Sequence, residues 1–180
     1  MSTITAAKWA LDTTHSEITF KVKHLVISTV TGKFNKFDAE IESENDNFDG
    51  AEIRFEADIN SIDTNNEDRD NHLKSDDFFN ASQFPKLVFK SRSFRKFGEN
   101  EFKLIGDLTI RDHTRTVELD VEYGGTVVDP YGQTKAGFEV TGKINRKEFG
   151  LSWSAVTEAG NLVVSEDVKL IMNVQFVKGE

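Results

Sequence analysis

Cysteine is absent from the 180 residues. That excludes disulfide scaffolds, zinc knuckles, iron–sulfur clusters and thiol nucleophiles, and leaves the redox compartment open. Proline occurs 2 times and glycine 12 times, too rarely for a collagenous or low-complexity chain. Basic residues are outnumbered, 22 against 31, for a net charge of −9. Neutralising phosphates requires the opposite excess, so nucleic acid is not an expected partner. No run approaches the eighteen or so apolar residues of a membrane span. The start, Met1 to Ala7, lacks the basic cluster and apolar stretch of a secretory signal, which points to a cytoplasmic protein. Tyrosine and tryptophan number only 2 each, against 15 phenylalanines. Phenylalanine supplies apolar area without a polar handle, so the chain is suited to a large dry interior.

What is present is period-two alternation, with helical periodicity nearly absent. Ile18, Phe20 and Val22 alternate with Thr19, Lys21 and Lys23. Ala51, Ile53, Phe55, Ala57 and Ile59 alternate with Glu52, Arg54, Glu56 and Asp58. Similar runs contain Phe37 to Ile41, Leu87 and Phe89, Phe102 to Ile110, Val117 to Tyr123, Phe138 to Ile144, and Val168 to Phe176. This predicts eight substantial strands with one wet side each, plus short segments near Trp9 and Trp153. Turn residues at Asn45 to Gly50, Gly98 to Asn100, Asp129 to Gly132 and Glu158 to Asn161 make them antiparallel neighbours. Such strands close most naturally into an all-β, eight-stranded antiparallel barrel, which removes exposed edges and is wide enough for packed side chains or one small ligand. One domain over residues 1–180 is expected, with 1–7 a loose lead-in.

Two segments break the alternation. Thr64-Asn65-Asn66-Glu67 reads as a capping box with Thr64 at the N-cap, followed by a short helix through Lys74. The irregular stretch His24 to Gly32 predicts a second helical turn, and both would plug or lid a barrel mouth. Gly106 and Gly142, on inward positions of strands, mark bends of the closing sheet or clear interior space.

Five ordered blocks carry a family resemblance. They are W-A-L-D-x-x-H-S-x-I-x-F-x-V-x-H from Trp9 to His24, T-x-x-x-x-R-D-x-H-L-x-S-x-D-F-F from Thr64 to Phe79, F-P-K from Phe84, G-D-L-T-I from Gly106, and R-K-E-F-G from Arg146. Together they resemble the YceI-like family of polyisoprenoid-binding proteins, from about Lys8 to Val177. The resemblance implies an extended, lipocalin-like barrel holding a long isoprenoid chain, usually as a homodimer, and no catalysis. The chain departs from the family after L-T-I, where a glycine in the turn is replaced by Arg111-Asp112-His113. Aspartate tolerates the left-handed conformation, so the turn is expected to survive with altered charge.

The expected ligand-binding residues are Phe20, Phe55, Phe89, Leu108, Phe138 and Met172 on apolar strand faces, with Arg69 and His72 facing a head group at the mouth. The alternative for the apolar set is an ordinary packed core. For Arg69, Asp70 and His72 the structural reading is favoured, with the charged pair tying the helix to strand ends. The spacings of His15, His24, His72 and His113 contain no metal-binding pair, His15 and Ser16 point to opposite strand faces, and no cofactor is implied. From Phe78 to Gly98 no acid occurs, while Lys86, Lys90, Arg92, Arg95 and Lys96 form a basic stripe that Lys103, Arg111 and Arg115 could extend. This is either a solvated face or a face oriented toward an anionic lipid surface, implying transient membrane contact. The function expected is therefore to sequester or carry a long isoprenoid, as a polyprenyl chain, quinone or pyrophosphate derivative. The competing readings are an enzyme using Arg69, Asp70 and His72 on a small apolar substrate, and a ligand-free interaction module with a filled barrel.

Overall fold

Strands that alternate apolar and polar residues hide their apolar set only if the sheet curls until its inner face meets itself. The computed structural model, which describes residues 7–24, 28–44, 48–76, 78–151 and 164–179, has that form. Its strands are β1 (Ala7–Leu11), β2 (Glu17–His24), β3 (Ser28–Phe34), β4 (Phe37–Ser43), β5 (Glu52–Asp58), β6 (Ile62–Asp63), β7 (Lys86–Lys96), β8 (Glu101–Ile110), β9 (His113–Val128), β10 (Thr134–Asn145) and β11 (Val164–Lys178). One helix, α1 (Glu67–Lys74), lies between β6 and β7.

Eight strands close the ring in the order β1, β4, β5, β7, β8, β9, β10 and β11, and β1 pairs with β11 to complete it. All the pairings are antiparallel, as expected for strands joined by short turns. β11 is long enough to serve two partners on one edge. Its end, Phe176 to Lys178, pairs with β1, while Val164 to Asn173 pairs with β2. β1 and β2 thus act as two pieces of one broken strand, with the 3₁₀ turn Thr13–His15 at the break. Beyond β2 the sheet continues through β3 to β6.

Several expectations need correction. Ala7, expected in the loose lead-in, is the first residue of β1. Short β1 is a full member of the closed ring, whereas the strand at Ser16 to Lys23 belongs to the extension. Ser28 to Gly32 is strand rather than helical turn, because Val30 and Gly32 pair with Val22 and Phe20. The expected segment at Trp153, residues 25–27, and the turns at Asn45 and Glu158 to Asn161 lie wholly or partly outside the described residues. The N-cap of α1 is Asn66, whose side chain accepts from the Arg69 amide at 3.0 Å. Thr64 is instead buried and bonded to Asp70. In the β8–β9 turn the left-handed residue is Arg111, at φ 57°, and not Asp112.

Candidate functional site

The inward residues of the wall enclose an apolar cavity of about 190 Å³. Every strand of the ring except β1 contributes to its lining, as do β2, β3, α1 and the segment after α1. Phe20, Phe55, Phe89, Leu108, Phe138 and Met172 all face it. Phe20, Phe55 and Met172 are only half-buried, so they retain accessible apolar surface. Among the described residues only Thr19 and Arg146 bring polar side chains to the lining. The Thr19 hydroxyl donates to the Ile171 carbonyl at 2.7 Å.

Gly106 and Gly142 do not clear lumen space. A Cβ on Gly106 would stand 2.4 Å from the Phe89 ring tip and 2.6 Å from the Lys90 carbonyl, and one on Gly142 would stand 2.2 Å from a Leu119 methyl. Each glycine is therefore covered by a neighbouring side chain that lies flat against the wall. The effect on the lumen is indirect: Phe89 occupies the wall's surface instead of the axis.

One end of the barrel is sealed. Phe48, with no exposure, packs against Trp9, Tyr123 and Phe138 at centroid distances of 5.0, 5.7 and 5.2 Å. Phe94 on β7 and Phe102 on β8, diagonal neighbours across the pair, stack at 4.5 Å. At the edge, Asp12 accepts from the Thr14 hydroxyl at 2.6 Å, lies 2.8 Å from His15 Nδ1 and accepts from Lys135 Nζ at 3.1 Å. The Thr14 hydrogen bond, followed by those of His15 and Lys135, holds the Asp12 carboxyl far below the usual carboxylate range. His15 is thus engaged with Asp12, and Ser16 donates to the Asp12 carbonyl, so the two form no catalytic couple.

The other end is covered by α1 and the segment following it, which put Leu73, Phe78 and Phe79 on the lining. Arg69 and His72 do not line the cavity. The Arg69 guanidinium donates from Nε to Thr64 Oγ1 at 2.8 Å and from Nη2 to the Thr64 carbonyl at 2.6 Å, while Asp70 accepts from the Thr64 amide and hydroxyl. The His72 ring meets Phe78 edge-on at 5.1 Å. The pair Arg69 and Asp70 therefore fastens α1 to the end of β6, through Arg69 Nε and Nη2 and Asp70 Oδ1. Among the described residues no group of three or more acidic or histidine side chains is placed to hold a metal ion.

Sequence reasoning missed Arg146. It is only 2% exposed, and donates from Nε to the Ser165 carbonyl at 2.8 Å and from Nη1 to the Leu151 carbonyl at 2.5 Å. Burial pushes its pKa down from the usual range, opposed by the charge of Glu166. A single arginine in a charged run reads as surface; only its neighbours in space show otherwise. The basic stripe, by contrast, is interleaved with acids across the sheet. Lys86 pairs with Glu56 at 3.1 Å and Arg92 with Asp107 at 2.9 Å, in the manner of a solvated strand face.

A YceI-like domain profile matches residues 9–176, almost the whole chain. The chain belongs to the YceI-like family. A UPF0312 protein of Staphylococcus epidermidis is 36% identical over 170 residues, covering 94% of this chain and 96% of that one. One from Staphylococcus aureus is 37% identical over 169 residues, covering 93% and 96%. Among solved structures, the Campylobacter jejuni YceI protein superposes with a TM-score of 0.75 at 34% identity, over 88% of this chain and 90% of that one. Burkholderia cenocepacia BcnA gives 0.80 at 19% identity over 92% and 98%. A polyisoprenoid-binding domain from Saccharophagus degradans gives 0.65 at 16% over 95% and 98%. The last two show that this YceI-like protein shares their fold.

Proposed function

We propose that this YceI-like protein is a binding protein, not an enzyme, that sequesters or carries an isoprenoid or similar apolar lipid inside the barrel. The observation that carries this reading is the cavity itself: a closed wall whose lining, among the described residues, is apolar except at Thr19 and Arg146. Family membership and the fold shared with a polyisoprenoid-binding domain support it. The commitment of Arg69 and Asp70 to Thr64 argues against the enzymatic alternative.

Magnitudes define the ligand. Burial yields about 0.8 kcal/mol per methylene, so a five-carbon prenyl unit gains on the order of 4 kcal/mol before ordering costs are subtracted. At about 10–15 Å³ for each water-sized group, 190 Å³ holds roughly fifteen such groups, or about three prenyl units. A longer chain requires the covered end to open. Native mass spectrometry of the protein with geranylgeraniol tests the reading. One adduct per chain is expected, and no adduct over a range of concentrations would overturn it.

A further inference from the structure

The cover over the end opposite Phe48 is built as a separate piece. Helix α1 and the segment after it bond largely to themselves: the Phe79 amide donates to the Leu73 carbonyl at 3.0 Å, Ala81 to Lys74 at 2.9 Å, Asn80 to Ser75 at 2.8 Å and Phe84 to Asn80 at 2.9 Å. The piece is tethered at its ends, through Thr64 on one side and through the Ile59 amide bonded to the Pro85 carbonyl at 2.8 Å on the other. Between these tethers, Arg111 of the barrel makes several contacts to it. Its Nη1 donates to the carbonyls of Asp76 and Phe78 at 3.2 and 3.3 Å and its Nη2 to Asp76 Oδ1 at 3.0 Å, while the guanidinium sits 5.8 Å above the Phe84 ring centre. The same Nη1 reaches the Gly150 carbonyl at 3.4 Å, so one side chain gathers two loops onto the β8–β9 hairpin.

This arrangement is not the one that stability alone would select. Arg111 stands at φ 57° in a two-residue hairpin turn, where a residue with a Cβ is strained and glycine is not. Its Nε is buried and has no hydrogen-bond partner, which is a further cost. A strained residue persists where its surroundings hold it, and here what holds it is the set of contacts to the cover. The loops it fastens carry Phe78, Phe79 and Leu151, which form that end of the cavity.

We propose that Arg111 is a latch, a positioning residue that fastens the α1 cover to the barrel and thereby sets the rate at which lipid enters and leaves. This rests on the cavity being a lipid site. The cover is closed both before lipid enters and after it is bound, so releasing the latch lowers the barrier between those two closed states and changes rates more than affinity.

The test is stopped-flow fluorescence with N-phenyl-1-naphthylamine, an uncharged apolar probe. Arg111→Met, which keeps length and loses the fork, should raise association and dissociation rates together by about tenfold, with Kd changing less than about threefold. Arg111→Lys should fall between the two. Asp76→Asn, at a largely exposed position, should accelerate exchange about twofold. Unchanged rates in a folded Arg111→Met protein overturn the proposal, as does a rise in dissociation alone, which would make Arg111 a ligand contact. If Arg111→Met does not fold, wild-type exchange rates in Asp76→Asn overturn it. Failure of the wild-type protein to take up any probe defeats the lipid reading itself, and the latch with it.

Discussion

The two ends of this barrel solve the same problem with different chemistry. At the sealed end Phe48 takes a left-handed backbone, φ 65°, and is held there by three aromatic rings around a side chain with no exposure. At the covered end Arg111 takes the same kind of backbone, φ 57°, and is held by hydrogen bonds to two loops at the protein surface. Ring packing in a dry interior resists opening because every separation exposes apolar area. Hydrogen bonds at a partly wet edge exchange for water at small net cost. The strained residues are alike, but the contacts that hold the second are polar and reach separate loops.

Four changes sharpen that contrast. Phe48→Ala should have the largest effect, about 3–5 kcal/mol of stability by chemical denaturation, because it leaves a hole bounded by rings that cannot collapse. Phe79→Ala, at a half-buried position of the cover, should lose only about 1–2 kcal/mol. Equal losses at the two positions would contradict the comparison. Gly106→Ala should cost about 1–3 kcal/mol, since the new methyl meets the Phe89 ring and the Lys90 carbonyl. It should also lower the fraction of chains that carry a geranylgeraniol adduct in native mass spectra, because Phe89 must swing toward the axis.

The fourth change acts through pH. Asp12 is more acidic in the folded chain than in the unfolded one, where its pKa is near 3.9. Its contribution is therefore complete above about pH 4 and declines as acid protonates the folded carboxylate. Denaturation midpoints of the wild type should fall as pH drops below 4, and Asp12→Asn should be less stable at pH 7 with a shallower acid decline. Parallel curves for the two proteins would show that the Asp12 hydrogen bonds to Thr14, His15 and Lys135 contribute no pH-dependent stability.

Strand identity was legible in the sequence because burial on one face of a curled sheet imposes a period of two, and Phe20, Phe55, Phe89, Leu108, Phe138 and Met172 fall on that period and face the cavity. Local signals misled where two candidates competed. Thr64 and Asn66 are both good caps, and the choice fell to Asn66 because Thr64 is drawn into the interior by Arg69 and Asp70. Ser28 to Gly32 lacks strong alternation, yet pairing with β2 makes it strand, a tertiary effect that no local pattern carries. The period of two places Gly106 and Gly142 on the inward face, but which side chain covers each depends on the neighbouring strand's register. Arg146 and Arg111 were least legible, since the partners that define them lie on other loops.

The most direct test of the account is to extract freshly purified protein with organic solvent and identify what is released by mass spectrometry, alongside a barrel-free control preparation. The account predicts an apolar, prenyl-containing or similar lipid in fixed proportion to protein, reduced in Gly106→Ala. An extract indistinguishable from the control, together with no uptake of added geranylgeraniol, would contradict it.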